Sequence, residues 1–451
     1  MTPSHAATAP ATAGWSVIPF VAYLVLIAAV PLIFGGFWEK NRNKLIVALV
    51  MSAPVLAYLL GNRPDGGELL LRTGIDYAAF MALLGALFAI SGGIRLRGSP
   101  RGTPLVNTGF LAVGAVIGSL VGTTGASALL IRPMLRANEQ RFRTTHIVVF
   151  FIFIVANGGG LLTPLGDPPL FLGFLRGVPF AWTLRLLPMW ALENGALLVL
   201  FAIFDIALAR RDAHGGPPRG STPRPAPLPE PPGIEGAINL VWLLGVLAVV
   251  LVMGGVGDRL FPNPHVRSLA QIAGMMAFAA LSWKTTPPDV RQRNRFNWGP
   301  MVEVAVIFLG IFVTMIPALS FLEERGASLG ISEPWQFFWA SGALSSVLDN
   351  APTYLTFASL ATGVVDGGAG VLSASNLGAL AAHPSGQHLL AAVSCGAVMM
   401  GAVTYIGNGP NFMVKAIAEQ HHVYTPSFFG YIVWSAAILL PLFALISHLF
   451  F

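Results

Sequence analysis

Apolar runs of about twenty residues, separated by short polar stretches, dominate the chain. A run of that length suits a helix crossing the ~30 Å hydrocarbon core of a bilayer. Such runs fall at 15–36, 44–60, 74–94, 145–174, 183–209, 236–255, 266–283, 299–322, 388–418 and 426–450. Two of them are interrupted: "TPLGDPP" breaks 145–174 and "TYIGNGP" breaks 388–418. Two further apolar stretches, 104–131 and 334–360, break midway at "VGTTGAS" and "LDNAPT". Non-helical backbone at membrane depth is tolerated only against protein or a water-filled cavity. These two stretches are therefore predicted to enter the membrane and return on the same face as re-entrant hairpins. The pattern predicts an all-α integral membrane protein of ten spans and two hairpins.

Composition agrees. Of 451 residues, 55% are hydrophobic and 10% charged, and mean hydropathy is +0.70. Soluble domains carry about 25% charged residues, so this chain has too few charges to cover a water-facing surface. Continuous apolar runs, in place of alternation, exclude a β-barrel. With both hairpins non-crossing, most of the 26 Lys and Arg residues fall in alternate loops. The positive-inside rule makes those loops cytoplasmic and both termini extracytoplasmic. The net charge of +6 is scattered over short loops and gives no sign of nucleic-acid binding. The single cysteine, Cys395 in "VSCGAV", excludes an internal disulfide and suits a packing role. No His forms a metal-binding spacing, and no cofactor is expected. Residues 1–14 read as a disordered tail that lacks the basic region of a signal peptide.

A Pro-rich cytoplasmic linker, 210–235, divides the chain into halves 15–209 and 236–451. Each half has five spans with a hairpin between the third and fourth. The halves begin on opposite faces, which predicts an inverted repeat. The motifs support it: "TPLGDPP" (163–169) matches "TYIGNGP" (404–410) as T-x-[LI]-G-[DN]-x-P, and "GSLVGTTGA" (118–126) lies over "SSVLDNAPT" (345–353) more weakly. Interrupted helices at matching positions of inverted halves point to a secondary transporter with a site near mid-membrane.

Proline and glycine around Asp167 unwind the helix and free backbone groups. Four breaks meeting at one depth would form a polar cage with Asp167 in the fourth span and Asp349 at the second hairpin tip. Two carboxylates in a dry cavity repel, and a bound cation relieves the repulsion. On this reading sodium and protons compete for one site, with Asp167 and Asp349 as the sodium ligands. Supporting groups are Thr123, Thr124, Asn157, Thr163, Asn350, Thr353, Thr404 and Asn408, with backbone at Gly166 and Gly407. Asp76, Glu193, Asp205 and Glu303 also fall in or near spans; Asp76 and Glu303 suit interfacial positions. Lys415 is expected to snorkel to the surface.

At these motifs the chain resembles the ion-transporter superfamily, which holds NhaD-type sodium/proton antiporters, CitMHS-like citrate carriers and arsenite permeases. The resemblance rests on "GTTGASALLIRPMLRANEQR", "NGGGLLTPLGDPPLFLGF", "FNWGPMVEVAVIFLGIFVTMIPAL" and "SSVLDNAPTYLTF". It implies an elevator transporter with a scaffold and a mobile transport domain. It also implies a homodimer and a place in the bacterial inner membrane, with sodium ions, protons and lipid as partners. The dicarboxylate branch carries Ser-Asn-Thr at its tips; here they read Gly122-Thr123-Thr124 and Asp349-Asn350-Ala351. Sodium/proton antiport is the first expectation, and cation-coupled transport of citrate, a dicarboxylate or another anion is the alternative. A remote third is an intramembrane aspartyl protease, on "LGD" and on "PAL" at 317–319. Of these, only the protease would be an enzyme.

Overall fold

The apolar runs fold as helices because a backbone in hydrocarbon must satisfy its polar groups within its own segment. The computed structural model of the protein describes residues 12–98, 101–215, 231, 233–294, 296–325, 328–367 and 371–451. The first half holds α1 (Ile18–Ile33), α2 (Asn41–Asn62), α3 (Gly66–Ser91), α4 (Pro104–Val121), α5 (Thr123–Ala137), α6 (Thr145–Ile154), α7 (Pro168–Leu175) and α8 (Leu187–Gly215). The second holds α9 (Ile238–Gly255), α10 (Pro264–Thr285), α11 (Gly299–Arg325), α12 (Pro334–Ser345), α13 (Asn350–Asp366), α14 (Gly386–Met399), α15 (Gly409–Gln420) and α16 (Phe428–Phe450).

Among the described residues, ten helices are long and apolar enough to cross a membrane. Their membership departs from the sequence pattern at two places. Pro104–Val121, assigned to a hairpin arm, qualifies by length and hydropathy. Pro264–Thr285, assigned to a span, does not qualify, because His265, Arg267, Gln271 and Lys284 dilute it. Helix α3 starts at Gly66, ahead of the apolar run at 74, and carries Glu68 and Arg72 in its first turns.

The segment 104–137 folds back on itself. The Gly102 N–H donates to the Ala137 carbonyl at 2.8 Å, and Asn107 and Asn138 exchange side-chain amide bonds at 2.9 and 2.7 Å. The open ends of α4 and α5 therefore meet, and the tip is Gly122 with φ +83°, a left-handed value that favours glycine. In the second half, α12 and α13 fold back in the same way. The Phe337 and Phe357 rings pack at 6.4 Å on either side of the 346–349 tip.

The described residues are almost entirely helical, as expected, with one short two-stranded ladder beside the helices. Strand β1 (Arg95–Arg97) pairs antiparallel with β2 (Gly233–Glu235). Glu235 holds the pair with Arg95 at 3.1 Å, Arg97 at 3.4 Å and Arg293 at 3.0 Å. The end of the linker is thus pinned beside α3. The Pro-rich part of the linker, 216–230 and 232, lies outside the described residues, and so do 1–11 of the N-terminal tail. Within the stretch expected to be a disordered tail, the Thr12 N–H and hydroxyl donate to Glu324 at 2.8 and 2.6 Å.

Burial sorts the helices. The Thr145–Leu162 stretch is 89% buried inside the protein and Gly386–Val403 is 78% buried, whereas Ile238–Gly255 is 22% buried. The two interrupted helices therefore form the centre, and α9 lies at the rim. Residues 146–154 of α6 are buried on every side, as expected for a helix that is apolar all round. Large apolar side chains remain exposed on the peripheral helices, among them Leu105, Leu244, Phe429 and Val433. In water such a surface would be costly; against acyl chains it is matched. The protein is a multi-pass membrane protein.

Candidate functional site

The two breaks share one backbone geometry. Thr163 has φ/ψ −139°/157° and Thr404 −131°/166°; Asp167 has −146°/144° and Asn408 −152°/138°. Each threonine ties its break to the hairpin in its own half, Thr163 to the first arm and Thr404 to the second tip. The Thr163 hydroxyl donates to the Ser119 carbonyl and accepts from the Leu165 N–H at 3.1 Å. The Thr404 hydroxyl donates to the Ser346 carbonyl at 2.5 Å and accepts from Ile406 and Gly407 N–H, both at 3.2 Å. Ser119 and Ser346 are equivalent in the alignment of the tips. These hydroxyls thus serve as ties between break and hairpin. Thr353 donates within its own helix to the Asp349 carbonyl at 3.0 Å.

All four breaks meet at Asp167. This residue precedes α7 and is 2% exposed, yet its side chain makes no cap bond to its own helix. Its carboxylate reaches outward instead. Oδ1 accepts from the Thr123 hydroxyl at 2.9 Å and from the Asn408 amide at 3.5 Å. Oδ2 accepts from the Asn350 amide. Thr123 begins α5, Asn350 begins α13, and Asn408 immediately precedes α15. The N-termini of four helices, α5, α7, α13 and α15, therefore converge on one carboxylate. Each such end carries a partial positive charge, worth typically 0.3–1 kcal/mol to a nearby anion.

Asp349 is adjacent but turned aside. Its carboxylate caps its own helix, accepting from the Ala351 N–H at 3.2 Å, and it lies within electrostatic reach of Asp167. Asn157 belongs to an amide relay behind the aspartate. Asn408 donates to Asn157 Oδ1 at 3.1 Å, Asn157 donates to Asn411 Oδ1 at 2.7 Å, and Asn411 donates to the Gly401 and Thr404 carbonyls at 2.8 and 2.9 Å. Thr124 lines a small cavity beside Asp167, with Thr123, Pro164 and Gly166 on one wall and Leu83 and Leu87 of α3 on the other. It has room for about one water-sized guest.

Glycines let the segments approach this closely. A Cβ on Gly166 would lie 2.0 Å from the Gly160 carbonyl oxygen, and one on Gly407 would lie 2.6 Å from that of Gly401. Gly166 is also tied to the first tip, its carbonyl accepting from the Thr123 N–H at 2.9 Å. Gly160 and Gly401 are missing from the candidates drawn from the sequence, as are Ser119, Ser346 and Asn411. A signal for the glycines is present: the motif match extends three residues upstream, "GLLTPLGD" over "GAVTYIGN". Asn411 carries none, since its partner Asn157 lies in the other half.

The remaining ionisable groups sort by place. Asp205 is fully buried, with His146 Nε2 and Asn107 Nδ2 both at 2.8 Å and Arg141 against Oδ1. Glu303 pairs with Lys44 at 2.5 Å. Lys415 bonds Glu419 at 2.6 Å at the protein's surface. Asp76 lies within electrostatic reach of Arg176 and Arg72. Glu193 is fully buried and belongs to none of these groups.

Broken helices around a buried polar centre, in a protein clothed in apolar side chains, define a polytopic membrane protein built around an internal polar site. Its family narrows that class to transporters. Residues 9–451 match the family described as "Putative citrate transport", and the chain belongs to it. No curated protein compared with it matches. Membership in a transporter family gives the protease reading no support.

Proposed function

We propose that the protein is a secondary transporter for citrate or a related carboxylate anion, coupled to a cation or proton taken up at Asp167. One observation carries this reading. Four helix N-termini and three side-chain donors converge on a single buried carboxylate at the meeting point of both hairpins and both breaks. The converging dipoles suit a negatively charged cargo. Ionised Asp167 would repel that cargo, and a cation or proton on Asp167 removes the repulsion. Coupling then follows from electrostatics: the anion binds well only when the aspartate is compensated. The two halves act as an inverted repeat, and the hairpins and broken helices move together against α3 as the transport body of an elevator.

Sodium/proton antiport is the second reading. The small volume of the cavity beside Asp167 favours it, since that space suits an ion better than a tricarboxylate. The family's description, matched over residues 9–451, favours the carboxylate.

Proteoliposomes separate the two. Labelled citrate should accumulate under an inward sodium or proton gradient. Asp167→Asn should abolish accumulation, because removing the carboxylate weakens binding of the coupling cation by about 2–5 kcal/mol, at least roughly thirtyfold, and leaves citrate entry uncoupled from the gradient. If sodium alone collapses a preset pH gradient and citrate never enters, the antiport reading replaces this one. If Asp167→Asn accumulates citrate normally, Asp167 is not the coupling site.

A further inference from the structure

Glu193, in the second turn of α8, is a buried carboxyl that the coupling site does not use. It is 0% exposed, and among the described residues neither of its oxygens has a hydrogen-bond partner. An ionised carboxylate in that position would face the full cost of desolvation with no donor or counter-charge to offset it. As the neutral acid it sits there at far lower cost. A carboxyl with no partner contributes little to packing, so its position calls for a role.

That position is directly behind the first break. A Cβ on Gly158 would lie 2.7 Å from Glu193 Oε2, and a Cβ on Gly160 would lie 3.1 Å from Asp167 Cβ and 2.7 Å from Thr123 Cγ2. Gly158 and Gly160 belong to one short turn, Gly158–Leu162. Glu193 presses on one end of the glycine run and Asp167 on the other, with only bare backbone between them. The residue before this run, Asn157, joins the relay to Asn408 and from there to Asp167. The titratable group facing Glu193 from α14 is Cys395, a poor counter-charge for a carboxylate.

We propose that Glu193 is a second, proton-specific site. It holds a proton as the neutral acid in this conformation and releases it as H⁺ when movement of the glycine turn opens the region behind the break. Asp167, surrounded by donors, suits the ionised form and a metal cation. Glu193, with no donors, suits the proton. The two carboxyls divide the work of coupling, and rearrangement of the same turn affects both. The proton-binding claim stands on the burial and isolation of Glu193; its coupling role rests on the transport reading above.

Infrared difference spectroscopy of the purified, lipid-reconstituted protein tests the first claim without any cargo. The carbonyl stretch of a protonated, deuterium-sensitive carboxylic acid should be present in the wild type and in Asp167→Asn. It should be lost in Glu193→Gln. Glu193→Leu, which also removes no hydrogen bond, is the second variant should the amide fail to fold. A band that survives both substitutions overturns the proposal. In proteoliposomes, Glu193→Gln should lose the accumulation of labelled citrate driven by a pH gradient and keep citrate–citrate counterflow at the wild-type level. Full gradient-driven accumulation in that variant overturns the coupling role. If the wild type moves no citrate at all, the cargo reading fails, and the infrared band still decides for Glu193.

Discussion

Gly160 shows how little room the centre leaves. A methyl group there meets Thr123 Cγ2 at 2.7 Å, the Gly166 carbonyl at 3.0 Å and Asp167 Cβ at 3.1 Å. Two of those three neighbours are backbone or main-chain-attached atoms that cannot swing away. Overpacking of this kind costs about 1–3 kcal/mol, and relief requires Asp167 or the Thr123 tip to move. Gly195 on α8 is the control, since a methyl group there meets nothing within 4 Å and a helical Gly→Ala change gains about 0.5–1 kcal/mol. Gly160→Ala is expected to melt at a lower temperature than the wild type and to lose transport. Gly195→Ala should melt higher and transport normally. Thermal unfolding in detergent with parallel uptake assays checks both. Wild-type melting and transport in Gly160→Ala would mean that the turn is looser than its contacts indicate.

The first hairpin is fastened at its open end as firmly as at its tip. Asn107 of α4 and Asn138 at the end of α5 are joined to each other, and Asn107 also bonds Asp205 of α8. Asp205 in turn holds His146 of α6 and Arg141 of the intervening loop. One buried carboxylate therefore links the hairpin to the fourth and fifth spans. Removing it takes away the nearest counter-charge of Arg141, which keeps only Asp212 at 3.8 Å, and breaking such a pair costs up to about 3–5 kcal/mol. Asp205→Ala should unfold far more readily than Asp205→Asn, which keeps an acceptor, and protease should cut it first in the 138–144 loop. Equal stability of the two variants would show that the acceptor at this position adds nothing to the fastening. Elements such as the breaks and tips are readable in the sequence because proline, glycine and matched spacing mark where a helix must stop. The fastening is not, since Asn107, Arg141, His146 and Asp205 come together only through packing. The same holds for the relay from Asn157 to Asn411, which crosses between halves, and for the partnerless state of Glu193. The three-residue strands are too short for alternation to show.

At the scale of the whole molecule, the inverted-repeat proposal makes a demand on topology that helix length alone cannot meet. Pro104–Val121 is long enough to cross a bilayer, yet Gly102 bonds Ala137, so the chain on both sides of this hairpin must emerge at the same end. The distribution of Lys and Arg leads us to expect that end on the cytoplasmic side. The second hairpin should open on the opposite face, because an odd number of spans separates the two. Single cysteines at Arg101 and Gln140, flanking the first hairpin, and at Ser332 and Val371, flanking the second, test the whole arrangement. The native Cys395 is buried and gives a silent background for maleimide labelling of intact cells. Arg101→Cys and Gln140→Cys should react only after permeabilisation, whereas Ser332→Cys and Val371→Cys should react with an impermeant reagent from outside. A split within either pair would turn that hairpin into a true crossing. Identical labelling of all four would place both hairpins on one face, and the two halves could then no longer be related by inversion.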